Sequence, residues 1–161
     1  MNETLTPATG DAAVASNAST TADVTAFTIC EDLWRLLKSY KTHMSRIADT
    51  YGLTMIQFGA LHAISEQQQG QATMGKVAQA LHCDASNATG IIDRLTALKF
   101  VVRLDNPADR RVKSLLLTPL GVTTLQKILS EMPSALGCER LDRTERQAMH
   151  RLVGKLSDDT A

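Results

Sequence analysis

Residues 106–118, NPADRRVKSLLLT, combine a turn signal, a group of cations and an apolar run. Pro107 and its Asn and Asp neighbours favour a tight turn. VVRL before the turn and VKSLLL after it are short and aliphatic, as strands are. The segment therefore predicts an antiparallel β-hairpin whose tip carries Arg110, Arg111 and Lys113. Cations on a projecting tip favour a polyanion as the binding partner, so we predict a β-wing that presents arginine to it.

Two short helices are predicted before the hairpin. Thr73 can cap the first, MGKVAQAL, and Asp84 can cap the second, ASNATGIIDRLTALKF. The three residues HCD separate them, which is the spacing of a helix-turn-helix. In the second helix the apolar period predicts an inward face made of Ile91, Ile92, Leu95 and Leu98.

Further helices are predicted upstream of this unit. Between Phe27 and Gly52, apolar residues recur three or four positions apart, which predicts one long amphipathic helix. Thr54 and Gln57 form a capping box that opens the next helix, MIQFGALHAISEQQQ. A long helix with an apolar stripe needs a partner surface, either in its own domain or in a second subunit.

Two more helices are predicted after the hairpin. Thr118 can cap the first, Pro119 suits its first position, and Pro133 is expected to end it. Asp142 and Glu145 form the capping box of the last helix. The chain is therefore predicted to be mostly helical, with a single hairpin between its helices.

The chain has the size of one domain, with 161 residues of which 43% are apolar. No apolar run approaches the roughly 20 residues that cross a bilayer, and no signal-peptide pattern opens the chain, so no membrane partner is expected. The three cysteines, an odd number without CxxC spacing, indicate a reducing compartment. We expect a cytoplasmic protein.

Residues 1–24 are rich in Ala, Thr, Ser and Asn, lack an apolar period and are predicted to be disordered. The formal net charge is +0, yet this segment holds three acidic residues and no basic one. The rest of the chain carries 17 basic and 14 acidic residues. Within it, residues 73–113 carry seven basic and four acidic residues. This excess is too modest to identify a nucleic-acid ligand by itself.

Residues 54–121 resemble the winged helix-turn-helix of the MarR (multiple antibiotic resistance regulator) family. The resemblance rests on MGKVAQAL, on IIDRL and above all on DRR…LLLTPLG, which matches the family's D-x-R…L-x-L-T-x-x-G wing signature. It implies a mostly α fold with a small antiparallel β-wing (α+β), in which residues 53–119 form the DNA-binding domain. Residues 25–52 and 120–161 correspond to the family's dimerisation helices, so the resemblance implies a homodimer.

The resemblance also implies a transcriptional regulator that binds a pseudo-palindromic operator in double-stranded DNA. Ser86, Asn87 and Thr89 are polar residues near the start of the second helix of the helix-turn-helix. They are candidates for base or phosphate contacts, and an asparagine can pair bidentately with adenine. Arg94 on the same helix is a further candidate.

In the wing, the resemblance maps the signature's aspartate to Asp109 and its arginine to Arg111. It implies that Arg111 enters the minor groove, which is narrow and strongly negative in A·T-rich DNA. Asp109 can aim Arg111 through a charge-assisted hydrogen bond. Arg110 and Lys113 are expected to contact phosphates. A surface turn with a local ion pair is the alternative.

Three positions depart from the family pattern. Ala85 and Gly90 stand where family members often carry arginine, which weakens the case for guanine recognition. Gly90 weakens its helix by about 0.5–1 kcal/mol unless DNA or another helix approaches closely there. Lys99 stands where the family usually has the glycine that ends the helix, so it must adopt a left-handed cap or the helix must end differently.

The family's effectors are small aromatic acids or phenols, and the resemblance implies one here. The candidate pocket lies between the first two helices and the DNA-binding lobe, lined by Cys30, Met44, Met55, Phe58 and His62. Cys30 also stands about where a peroxide-sensing branch of the family carries its reactive cysteine, although Met44 and Met55 replace that branch's tyrosines. A lone cysteine in an apolar stripe is usually a small buried hydrophobe, and we expect Cys30 to be one. Thiol-based redox sensing is the alternative.

Other classes of function find less support. His82 and Cys83 are adjacent and do not have the spacing of metal ligands, so neither a metal nor another cofactor is expected. No nucleophile–base pair or pair of carboxylates stands out, so the chain is not expected to be an enzyme. A winged-helix module that binds protein through the same surface is the alternative from another class.

Overall fold

A computed structural model describes residues 24–67, 72–105 and 113–157. The predicted tail, apart from Val24, and residues 106–112 at the wing tip lie outside the described residues. The elements are α1 (Ala26–Thr50), α2 (Met55–Ser65), α3 (Met74–Ala80), α4 (Ala85–Ala97), β1 (Val101–Asp105), β2 (Lys113–Leu117), α5 (Pro119–Leu136), a 3-10 turn (Cys138–Arg140) and α6 (Arg143–Ser157). The predicted mostly α fold with a small antiparallel hairpin is confirmed.

The helices begin where local capping chemistry predicts. The Gln57 backbone N–H donates to the Thr54 hydroxyl, and the Gln57 side chain accepts from the Thr54 N–H at 2.9 Å, which completes the predicted capping box. Asp142 and Glu145 exchange the same two bonds before α6, at 2.8 and 2.9 Å. The remaining predicted N-caps are also confirmed, at Thr73, Asp84 and Thr118.

The hairpin is attached to the helix-turn-helix at its base. β1 pairs with β2 in the register that runs from Val101 opposite Leu117 to Asp105 opposite Lys113. The Leu115 N–H donates to the Ala72 carbonyl at 2.8 Å, and Thr73 forms an isolated bridge with Ser114. The residues that lead into α3 therefore pair with β2 as a short third segment of the sheet. This pairing joins the base of the wing to the helix-turn-helix.

One core joins the second half of α1 to α2, α4, the hairpin and α5. Its largest fully buried side chains are Met44, Leu53, Leu61, Ile92, Leu95, Leu115 and Ile128. The Tyr51 hydroxyl donates to the Glu131 carboxylate at 2.9 Å, which links the end of α1 to α5, and this bond raises the pKa of Tyr51. The second half of α1 is thus part of the domain core, because its apolar stripe packs against α2 and α5.

Several predicted boundaries and orientations are wrong. α2 ends at Ser65 instead of extending through Gln69, and the Ser65 hydroxyl donates to the His62 carbonyl, competing with the backbone. α5 passes through Pro133 and ends at Gly137, whose φ of 77° suits a left-handed C-cap. Leu98, expected to face inward, is 41% exposed because it follows the last helical residue of α4.

Of the two alternatives for Lys99, the structure has the left-handed cap. Lys99 has φ 63°, its N–H donates to the Thr96 carbonyl, and the Phe100 N–H donates to the Leu95 carbonyl, both at 2.9 Å. These two bonds form a Schellman motif with lysine at the position that favours glycine. The left-handed conformation costs a residue with a Cβ about 1–2 kcal/mol.

We therefore expect Lys99→Gly to raise the free energy of unfolding by about 0.5–1 kcal/mol, since glycine's greater freedom in the unfolded chain offsets part of the gain. Urea unfolding at a fixed protein concentration measures the change. Lys127→Gly is the matched control, because the same substitution at an exposed interior position of α5 should lose about 1 kcal/mol. A loss of stability in both variants would contradict the strain at Lys99.

Candidate nucleic-acid interface

The helix-turn-helix has a tight turn between α3 and α4. His82 in this turn has φ 49°; its N–H donates to the Gln79 carbonyl at 3.1 Å, and the Cys83 N–H donates to the Ala78 carbonyl at 3.0 Å. Asp84 then caps α4. The two helices pack against each other through buried side chains, and α4 is left with one face in solvent.

The exposed face of α4 carries all four residues predicted on this helix to contact DNA, namely Ser86, Asn87, Thr89 and Arg94. Ala88, Ile92 and Leu95 form the buried face. A Cβ added at Gly90 would meet nothing within 4 Å, so no contact within the described part of the chain requires this glycine. Small side chains therefore leave the α4 backbone accessible from solvent.

Polar groups at the start of α4 bind one another. The Asp84 carboxylate accepts two hydrogen bonds from Asn87, one from its backbone N–H and one from its side-chain amide, both at 2.8 Å. The Thr89 hydroxyl donates to the Ala85 carbonyl at 2.8 Å. Two of the candidate base-contacting side chains, Asn87 and Thr89, are therefore held in defined orientations.

An ion pair joins the wing to α4. The Arg103 guanidinium of β1 donates to the Asp93 carboxylate at 2.5 Å. Both side chains are partly exposed, so the pair contributes about 0–1 kcal/mol to stability. The pair links the strand to the helix, whose relative position is set by the packing of the shared core. This pair was not predicted, and its only signal in the sequence is that IIDRL contains an acidic residue and VVR a basic one.

At the base of the wing, the Lys113 ammonium forms an ion pair with the Asp105 carboxylate of the opposite strand. The charge of Lys113 is thus partly offset within the chain, and its contact with phosphate stays a prediction. Asp109, Arg110 and Arg111 lie outside the described residues, so their predicted roles stay predictions as well.

The five candidate effector-binding residues do not form one cluster. Met44 and Phe58 are buried in the core, and Met55 and His62 are half-buried on α2. Cys30 is exposed and precedes Met44 by a helical distance of about 21 Å. The expected burial of Cys30 is therefore wrong for the single chain, and thiol-based sensing stays a prediction.

A large apolar surface lies on α1 and α6. In the first half of α1, Trp34 is 71% and Leu37 is 59% exposed, and they line a cleft of about 420 Å³ with Lys38 and Lys41. None of the described residues of α6 is buried, and Leu156 is 60% exposed. Exposed apolar surface on two helices is typical of a subunit interface.

Residues 24–67, 72–105 and 113–157 offer neither a metal site nor a membrane-spanning helix. No three His, Cys, Asp or Glu side chains in these ranges come together in a way that could hold a metal ion. Among the described helices, none has the length and apolar character needed to cross a membrane.

Known proteins match this chain in sequence and in fold. The family model described as "MarR family" matches residues 51–112. The uncharacterized HTH-type transcriptional regulator YsmB of Bacillus subtilis (strain 168) is 32% identical over 85 residues, and the alignment covers 53% of this chain and 57% of YsmB. The chain thus aligns with little more than half the length of this relative.

Two solved structures extend the match to the flanking helices. Wild-type MarR from E. coli, in its apo form, superposes with a TM-score of 0.66 at 20% identity, over 80% of this chain and 96% of MarR. BpsR of Bordetella bronchiseptica superposes with a TM-score of 0.61 at 27% identity, over 81% of this chain and 93% of BpsR. The family consists of transcriptional regulators, which agrees with the expectation that the chain is not an enzyme. In residues 51–112 the chain is similar to the MarR family, and its fold, including the winged helix-turn-helix, is similar to that of these two solved structures.

Proposed function

We propose that the protein is a homodimeric regulator that binds a pseudo-palindromic operator in duplex DNA and is released by a small-molecule effector. The observation that carries the proposal is the exposed polar face of α4 beside a wing that is joined to the helix-turn-helix by the Leu115–Ala72 hydrogen bond and the Arg103–Asp93 ion pair. In the proposed complex, α4 enters the major groove and the wing lies over the adjacent minor groove.

The surface of α4 suits a close approach to base edges. The major groove is about 12 Å wide and admits one α-helix. Ala85 and Gly90 present little bulk, while Ser86, Asn87 and Thr89 supply polar groups at the same end of the helix. Arg94 lies further along the exposed face, where a cation can neutralise a phosphate.

The apolar surface of α1 and α6 supports the proposed dimer. Two copies related by a two-fold axis would cover Trp34, Leu37 and Leu156. The dimer would then present two α4 helices to half-sites about one turn of DNA apart, roughly 34–36 Å. On this proposal, the cleft beside Trp34 is filled by the partner subunit.

We further propose a small aromatic acid as the effector. This part rests on BpsR, whose DNA binding is regulated by 6-hydroxynicotinic acid. The half-buried residues Met55 and His62 on α2 remain the candidates for contacting it, and the Phe58 and His62 rings lie 6.3 Å apart.

Selection of bound DNA from random duplexes tests the proposal. We expect one pseudo-palindromic sequence to be enriched and its affinity to fall steeply with salt, because contacts with phosphate release counterions. Binding that ignores sequence and salt, together with salt-insensitive binding to a protein partner, would favour the protein-interaction alternative.

The wing provides a sharper prediction. Arg111→Ala should cost about 1–3 kcal/mol of binding on the selected operator, with the larger loss where the flanking minor groove is A·T-rich. The reason is that a narrow groove concentrates negative potential around an inserted guanidinium. Fluorescence anisotropy on two operators that differ only in their flanks measures the effect.

Arg110→Ala is the matched control, since it removes the same charge from the neighbouring position. It should weaken both operators alike and reduce the salt slope by about one unit. Equal losses on both operators for Arg111→Ala would make Arg111 another phosphate contact, and no loss on either would remove the wing from the binding mechanism.

A further inference from the structure

Asp84 and Asn87 form a unit at the start of α4 that helix capping alone does not explain. A cap needs one oxygen, and the Asp84 carboxylate supplies it to the Asn87 backbone N–H at 2.8 Å. The second carboxylate oxygen accepts from the Asn87 side-chain amide, also at 2.8 Å. This second bond turns the amide nitrogen towards Asp84 and fixes which atoms of Asn87 remain available.

The remaining hydrogen-bonding groups of Asn87 can be counted. A primary amide has two N–H donors and one acceptor oxygen. Asp84 uses one donor, which leaves one donor and one acceptor. In the major groove, adenine offers one acceptor, N7, beside one donor, the N6 amino group, whereas guanine offers two acceptors. The free groups of Asn87 therefore complement adenine and not guanine.

Resting on the function proposed above, we infer that Asp84 is a positioning residue that makes Asn87 select adenine over guanine in each operator half-site. Without Asp84, the amide could rotate and donate both of its protons to the two acceptors of guanine.

The neighbouring residues support the same preference. Residues 85–93 contain no lysine or arginine, the side chains that most often recognise guanine. The Thr89 hydroxyl proton is bound to the Ala85 carbonyl, so Thr89 offers a base its methyl group and an acceptor. A methyl group suits the C5-methyl of thymine, and neither Asn87 nor Thr89 can present two donors to guanine.

The test compares four proteins: the parent, Asp84→Ser, Asn87→Ala and the double variant. Serine caps a helix about as well as aspartate, so Asp84→Ser keeps the cap and removes the oxygen that holds the amide, together with the carboxylate charge. Each protein is titrated with the selected operator and with duplexes in which single A·T pairs are replaced by G·C. The readout is the affinity ratio between adenine and guanine at each position, which a general change in charge or stability does not move.

We expect one position in each half-site where the parent prefers adenine and where Asp84→Ser reduces that preference about tenfold, or about 1.4 kcal/mol. Asn87→Ala should reduce it to the same extent, and the double variant should show no further loss, because both changes remove one interaction. A parent-like adenine preference in Asp84→Ser would overturn the inference while leaving the proposed function intact. If the parent selects no duplex at all, the proposed function fails and the inference fails with it.

Discussion

Gly121→Ala should lower the free energy of unfolding by about 3 kcal/mol, a large loss for a single methyl group. A Cβ at this position would overlap the Phe100 carbonyl oxygen and lie 3.1 Å from its carbon. These are backbone atoms, so no change of rotamer can make room. The same carbonyl accepts the Thr118 N–H at 3.0 Å, and moving it away would disturb the cap of α5.

Urea unfolding of the parent and the variant at one protein concentration measures this loss. Gly75→Ala is the matched control, because a Cβ on that helical glycine would meet nothing within 4 Å. It should leave stability unchanged or raise it by about 0.5–1 kcal/mol. If Gly121→Ala unfolds within about 0.5 kcal/mol of the parent, α5 does not pack against Phe100 as closely as described.

Leu37→Glu should raise the dissociation constant of the dimer by about a hundredfold or more, which corresponds to about 2.7 kcal/mol. Leu37 is 59% exposed in the single chain, so the substitution leaves the domain core intact. In the proposed dimer the same position is buried against the partner, where removing a carboxylate from water is costly even with Lys38 and Lys41 lining the same cleft. Sedimentation velocity at micromolar concentration should show a folded monomer for the variant and a dimer for the parent.

Ser39→Glu is the control for this variant. It adds the same charge to α1, and Ser39 is exposed about 200° around the helix from Leu37, on the opposite side. We expect it to remain dimeric, with a circular dichroism spectrum like that of the parent. A parent that is itself monomeric, or a Leu37→Glu variant that dimerises normally, would exclude this face of α1 from the interface.

The features that the sequence predicted correctly depend on residues close together in the chain. Thr54, Thr73, Asp84, Thr118 and Asp142 all cap helices because each side chain reaches a backbone N–H only three positions away. The polar face of α4 could be predicted for the same reason, since a period of 3.6 residues separates Ser86, Asn87, Thr89 and Arg94 from Ala88, Ile92 and Leu95. Even the Asp84–Asn87 unit is a local pattern. The cap by Asp84 was predicted, but the bond between its carboxylate and the Asn87 side chain was not.

The sequence was less informative wherever the outcome depends on a distant segment. The apolar stripe of α1 is continuous in sequence, but the structure buries Met44 and leaves Trp34 exposed, because α2 and α5 reach only the second half of the helix. The family resemblance placed Cys30 and Met44 in one candidate pocket, but 14 positions of α1 keep them apart.

What the sequence determined by itself is the order of the helices, their starting points and the hairpin, because capping, periodicity and turn formation act within a few residues. Only the tertiary structure decided that Gly121 must lack a side chain beside Phe100, that Arg103 pairs with Asp93, and that Lys113 shares its charge with Asp105. Each of these contacts joins two elements whose relative position is set by the packing of the shared core. No local pattern specifies that position, and for this reason the orientation of the wing on α4 had to come from the fold.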